Sequence, residues 1–167
     1  MPPTNPVLSI RPATADDVPL IRQLIAELAD YERLAHAAVA TDDDLRAQLF
    51  GARPAAEVLI GEVDGEPAGF ALFFHNFSTF LGKRGLYLED LFVRPAARGA
   101  GLGKHLMAAL ARIAVQRDCG RFEWSVLDWN APAIAFYRRL GAVGLDEWTV
   151  QRLDGEALHA LAARDEL

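Results

Sequence analysis

Cysteine is almost missing from this chain: Cys119 is the single one in 167 residues. An internal disulfide is therefore excluded, and a reducing, cytoplasmic compartment is expected. Positive charge is also in deficit, since 17 Lys and Arg face 23 Asp and Glu for a net charge of −6. That balance argues against nucleic acid, whose phosphates need basic partners, and suits a cationic ligand. No apolar run reaches the roughly 18 residues that span a bilayer, so no membrane partner is expected. The stretch MPPTNPVLSIRP shows no basic region followed by an apolar core, so no secretory route is expected either. No cluster of His, Cys and Asp has metal-ligand spacing, and no metal is expected.

What is present reads as a globular protein, with hydrophobic residues at 51% and charged ones at 24%. The length suits a single domain over residues 1–167 with a sizeable core. Val7 to Arg11 reads as a strand. Thr14 and Asp17 form a capping box ahead of a helix with Val18, Ile21, Leu24, Ile25 and Leu28 inward, running to about Leu34. Thr41 and Asp44 repeat the pattern before a shorter helix that ends near Gly51. Glu57 to Val63 and Ala68 to Phe77 read as strands joined by Asp64-Gly65-Glu66-Pro67. The segment from Gly82 to Gly85 is a second turn. Phe122 to Leu127 reads as a strand, Asn130 as a helix cap, Glu147 to Leu153 as a last strand, and Asp154 as the start of a short helix. The predicted order, β-α-α-β-β-β-α-β-α-β-α, gives an α/β fold with a mixed central sheet flanked by helices.

The informative stretch is LYLEDLFVRPAARGAGLGKHLMAALARIA, Leu86 to Ala114. It begins as a strand with Tyr87, Glu89, Leu91 and Val93 on one face and Leu88, Asp90 and Phe92 on the other. A glycine-rich turn follows, Arg98-Gly99-Ala100-Gly101-Leu102-Gly103, and then a helix with Leu102, Leu106, Leu110 and Ile113 on one stripe. Strand, glycine turn and helix N-terminus make an anion site, because backbone N–H groups and the positive end of the helix dipole point the same way. The spacing matches neither the dinucleotide fingerprint nor the Walker loop, in which Ser or Thr would stand where His105 does.

Arg-x-x-Gly-x-Gly after a strand ending Leu-Phe-Val-Arg-Pro resembles the pyrophosphate loop of the GNAT superfamily, the acyl-CoA-dependent N-acetyltransferases. The order of elements agrees with the GNAT fold over nearly the whole chain. The resemblance implies acetyl-CoA as co-substrate, held by the backbone of Leu91, Phe92 and Val93 and by Arg98, Gly99, Ala100, Gly101, Leu102, Gly103 and Lys104.

Acetyl transfer to an amine needs a base, because an ammonium (pKa about 10.4 for a lysine-like group) has no lone pair. It also needs an acid for the thiolate leaving group and donors for the oxyanion. Glu89, a carboxylate in an apolar strand, is the base candidate, its pKa raised by desolvation or its charge paired with a substrate cation. On a regular strand Asp90 faces the other way, and a bulge would bring both carboxylates to one pocket. Tyr137 lies two turns into the helix capped at Asn130. On pattern alone it serves equally as an acid or as core beside Ile134. The run Asn-x-Pro-Ala-Ile-x-Phe-Tyr-x-Arg-x-Gly, Asn130 to Gly141, is similar to the fourth conserved GNAT stretch. That resemblance makes Tyr137 the general acid and puts Asn130, Ala133, Tyr137 and Arg139 against the cofactor.

Four stretches narrow the resemblance to the diamine acetyltransferases, the spermidine/spermine and thialysine enzymes. They are Ile10 to Thr14, Ala29 to Glu32, Tyr87 to Leu91 and Trp129 to Gly141. By that resemblance Tyr31, Glu32, Glu89 and Asp90 line an acidic slot for a small amine, with Phe80 beside it. Polyamine-specific members tend to carry tryptophan at the Phe80 position, a larger cation–π platform, so shorter diamines and amino-acid-like amines stay open. The implied reaction is direct attack in a ternary complex, and the implied assembly a homodimer. The alternatives are a protein or peptide N-acetyltransferase and a non-catalytic acyl-CoA-binding module.

Overall fold

The computed structural model describes residues 4–164. The chain forms two compact units, Met1–Ser125 and Val126–Leu167. The first holds a five-stranded sheet in the order β1 (Leu8–Pro12), β2 (Glu57–Val63), β3 (Glu66–Ser78), β4 (Lys83–Val93) and β5 (Arg121–Trp124). All neighbours are antiparallel except β4 and β5, which run parallel. The sheet is mixed, as the element order predicts.

Helices cover both faces. Helix α1 (Val18–Tyr31) follows a single 3₁₀ turn whose Thr14–Asp17 capping box is present. Its buried stripe is Val18, Ile21, Leu24 and Leu28, with Ile25 only partly covered. With Leu45 and Leu49 of α2 (Asp42–Phe50) these pack on Val58, Ile60, Phe70 and Phe92 of the sheet. Burying each such side chain stabilises the fold by roughly 1.5–3 kcal/mol. The opposite face receives α3 (Leu102–Gln116) through Leu102, Leu106, Met107 and Leu110. Alternation along β2 serves both layers: Ile60 faces α1, while a Cβ on neighbouring Gly61 would press on the Leu102 side chain at 2.9 Å.

The second unit contains α4 (Ala131–Arg139) and α5 (Gly155–Ala162). Asn130 caps α4 as expected, its Oδ1 accepting from the Ala133 N–H at 3.3 Å, and Gly141 follows with φ +94°. Asp154 stands at the N-cap of α5.

Three expectations need correction. The strand expected over Glu147 to Leu153 is absent among the described residues. A strand exists only against a hydrogen-bonding neighbour, and this stretch has no ladder partner among the described residues; Trp148 and Val150 stand 77% and 80% exposed. The turn expected at Gly82 to Gly85 lies earlier, because β4 already begins at Lys83 and Gly85 pairs with Asn76. The strand expected to reach Leu127 stops at Trp124. No helix among the described residues is long and apolar enough to cross a membrane.

Candidate active site

The centre of the site is an irregularity in β4. Pairing with β3 steps from Leu72↔Asp90 to Phe73↔Leu88, leaving Glu89 as the extra residue of a bulge. A bulge breaks strict side-chain alternation and bends the strand. It lies where β4 loses its other neighbour, since the parallel ladder with β5 covers only Gly85 to Leu88. The backbone of Leu91 to Val93 is thus laddered to β3 and not to β5. N–H and C=O groups on that side are the kind that an extended, amide-bearing ligand can pair with.

The carboxylates sort differently from the expectation. Glu89 is exposed, whereas Asp90 is largely covered. Burial pushes the Asp90 carboxyl up from 3.8 to about 6, and the negative charges of Glu89 and then Glu32 push the same way. Glu32, at the C-cap of α1, is itself raised above the ordinary glutamate range by burial. The desolvated carboxylate is therefore Asp90, not Glu89. The charges of Glu89 and Glu32 both bear on Asp90, and both are negative.

At the end of β4, Pro95–Ala97 forms one 3₁₀ turn, and the glycine turn then leads into α3. Gly99 (φ +87°) and Gly101 (φ +90°) hold the left-handed backbone that glycine permits without strain. Beside Gly99 an added Cβ would meet nothing within 4 Å, so the turn offers its main chain openly. Gly101 is the N-cap of α3, and the first ladder bond runs from His105 N–H to Gly101 C=O at 3.0 Å. The N–H groups of Leu102, Gly103 and Lys104 lie ahead of that ladder, the position from which helix amides can donate to an anion. Open glycines, leading amides and the dipole of a 15-residue helix fit a diphosphate.

Tyr31 ends α1, and its ring lies 4.9 Å below the guanidinium carbon of Arg98, whose Nε–H donates to Val93 C=O at 3.2 Å. Phe80 sits fully exposed in the β3–β4 turn, at 100%. Glu89 lies roughly 20 Å further along β4 at ordinary strand rise, so one chain does not bring Phe80 together with the acidic cluster. In the second unit Tyr137 is half-buried on α4 with its ring 5.4 Å from that of Phe136, and Arg139, the last residue of α4, is exposed. Ala133 is tied to Asn130 through the cap.

Sequence reasoning missed the pair Glu27 and Arg94. The Arg94 guanidinium grips Glu27 with two 3.0 Å contacts and donates to Pro67 C=O at 3.1 Å, fastening α1 to the end of β4. No local signal marks it, because Glu27 reads only as the polar side of a helix and its partner is 67 residues away.

Strand β4, bulged at Glu89 and without β5 beyond Leu88, runs into an open glycine turn and a helix N-terminus, an arrangement that suits an acyl-CoA-dependent acyltransferase. The model of the acetyltransferase (GNAT) family matches residues 21–142, and the chain belongs to that family. Enzymes of this family use acetyl-CoA as co-substrate, and this chain is an N-acetyltransferase. It is 38% identical to an L-ornithine N5-acetyltransferase of Arabidopsis thaliana, over 91% of this chain and 86% of that protein. It is 37% identical to a thialysine N-epsilon-acetyltransferase of Sus scrofa, over 93% and 97% respectively. Among solved structures, an integron cassette protein from the mobile metagenome of V. cholerae superposes with a TM-score of 0.80 at 28% identity, covering 94% of this chain and 98% of that one.

Proposed function

We propose that the protein acetylates one primary amine of a short diamine or a thialysine- or ornithine-like amino acid, by direct attack in a ternary complex. The observation that carries this reading is the half-buried Asp90 carboxylate facing the negative charges of Glu89 and Glu32, which calls for a cationic ligand beside the bulge. A substrate ammonium offsets that repulsion, and a second positive group on the substrate gains from the remaining carboxylates. The names of the two curated relatives support an amino-acid-like acceptor.

In this reading Asp90 and Glu89 relay the proton from the ammonium. A carboxylate near 6 is a better acceptor at neutral pH than one near 4, because its basicity is closer to the operating pH. Tyr31 presents a ring face to the cation and Glu32 a charge. The backbone of Leu91 to Val93 receives the acetyl carbonyl and pantetheine arm, and Arg98 to Lys104 receive the diphosphate. Tyr137 protonates the leaving thiolate. Its support is the Asn130 to Gly141 motif and the realised Asn130 cap, which also favours Asn130, Ala133 and Arg139 as cofactor contacts. Residues 1–167 are taken as one acetyltransferase domain, since the family match crosses from one unit into the other. A cytoplasmic homodimer is part of the same proposal, supported by the single cysteine and by the exposed apolar Trp148 and Val150.

The test is thiol release from acetyl-CoA with thialysine, ornithine, cadaverine, spermidine and an N-terminal peptide as acceptors. Turnover is expected with the short, doubly basic amines; turnover with the peptide alone would reject the slot in favour of a protein or peptide N-acetyltransferase.

A further inference from the structure

We infer that Arg98 couples the two substrates, because its guanidinium occupies in cis the ring face that the amine is to use. The inference rests on the amine-slot reading above. Two arginines bracket the Pro95–Ala97 turn, and each contacts one residue of the α1 face formed by Glu27 and Tyr31, four apart. Arg94 and Glu27 form a two-point ion pair at 3.0 Å, reinforced by the bond to Pro67 C=O. Arg98 is held differently. It is exposed, with a ring contact to Tyr31 at 4.9 Å and a single Nε–H bond to Val93 C=O.

Both contacts of Arg98 engage groups that substrates require. Val93 C=O belongs to the strand segment left without β5, and the Tyr31 face belongs to the acidic slot. Arg98 is also the first residue of the phosphate cradle. A guanidinium makes charge-assisted, often bidentate, hydrogen bonds to phosphate, and these outweigh an exposed contact with a ring. When the diphosphate of acetyl-CoA reaches the cradle, Arg98 turns to it and gives up its contact with the Tyr31 ring. The Glu27–Arg94 clamp keeps α1 in place while it does so. Until then a second cation at Tyr31 meets both an occupied face and a like charge. Amine affinity therefore rises on CoA binding, by about two- to fivefold if one exposed cation–π contact is exchanged. By linkage the amine raises CoA affinity by the same factor.

Isothermal titration of the full chain with cadaverine, with and without saturating CoA, measures this without turnover. The wild type is expected to bind cadaverine about two- to fivefold more tightly with CoA present. In Arg98→Leu, CoA alone binds more weakly, cadaverine alone binds as tightly as it does to the CoA-loaded wild type, and the factor falls to about one. In Tyr31→Leu, cadaverine binds weakly in both conditions and the factor is again about one. A wild-type factor of one, or an Arg98→Leu factor equal to a wild-type factor above one, overturns the coupling while leaving the slot intact. Absence of cadaverine and thialysine binding in every condition, with CoA still bound, removes the slot and the coupling together.

Discussion

Replacing Asp90 by asparagine should stabilise the folded protein while disabling it, and the size of the gain follows from the electrostatics of the bulge. An ordinary aspartate titrates near 3.8 and Asp90 near 6, so holding it ionised in the fold costs about 3 kcal/mol. Burial is the larger cause, and repulsion from Glu89 and Glu32 adds to it. Asparagine keeps the shape and removes the charge, but its amide also needs partners, so we expect a gain of about 1–3 kcal/mol. For a chain of this size each kcal/mol moves Tm by roughly 2–4 °C, giving a rise of about 2–12 °C.

The pH dependence fixes the cause. Because the folded pKa is raised, the folded state binds the proton more tightly than the unfolded chain. The penalty is therefore complete above about pH 6, shrinks as pH falls through 6, and vanishes below 3.8, where both states are protonated. Thermal melts of wild type and Asp90→Asn at pH 8, 6.5 and 5 should show a gap that narrows steadily. A variant no more stable than wild type at pH 8, or a gap that does not change with pH, would refute the reasoning. In the same samples amine turnover should fall by about 10²-fold or more, as loss of a general base does.

Two further variants probe the remaining parts. Tyr137→Phe should lower kcat by about 10²-fold while acetyl-CoA affinity, read by titration, changes little; equal losses of rate and affinity would assign Tyr137 to packing instead. Gly69→Ala should destabilise the protein by about 2 kcal/mol or more, because the new Cβ would stand 2.5 Å from Phe92 C=O, a backbone atom that cannot turn aside. Since Gly69 pairs with Val93, that variant should also raise KM for acetyl-CoA more than KM for the amine, and steady-state kinetics will show whether it does.

Most of the architecture is legible along the chain because its causes are local. Capping boxes at Thr14 and Thr41, the Asn130 cap and the Gly99–Gly103 turn each involve residues a few positions apart, and all four appear where expected. The failures are non-local. Glu147 to Leu153 has strand-like composition, but a strand needs a neighbour, and composition does not say whether the chain supplies one.

The sequence by itself determined the order of elements from β1 to α4 and the glycine turn that leads into α3, since short-range spacing and helix ends dictate these. Only tertiary structure decided which carboxylate is desolvated. Around the shift of register between Leu72 and Phe73, Glu89 is exposed and Asp90 half-buried, and a register is set by two strands together. The same holds for the arginines that meet α1 at Glu27 and Tyr31, because each contact joins residues that only the folded sheet brings within reach.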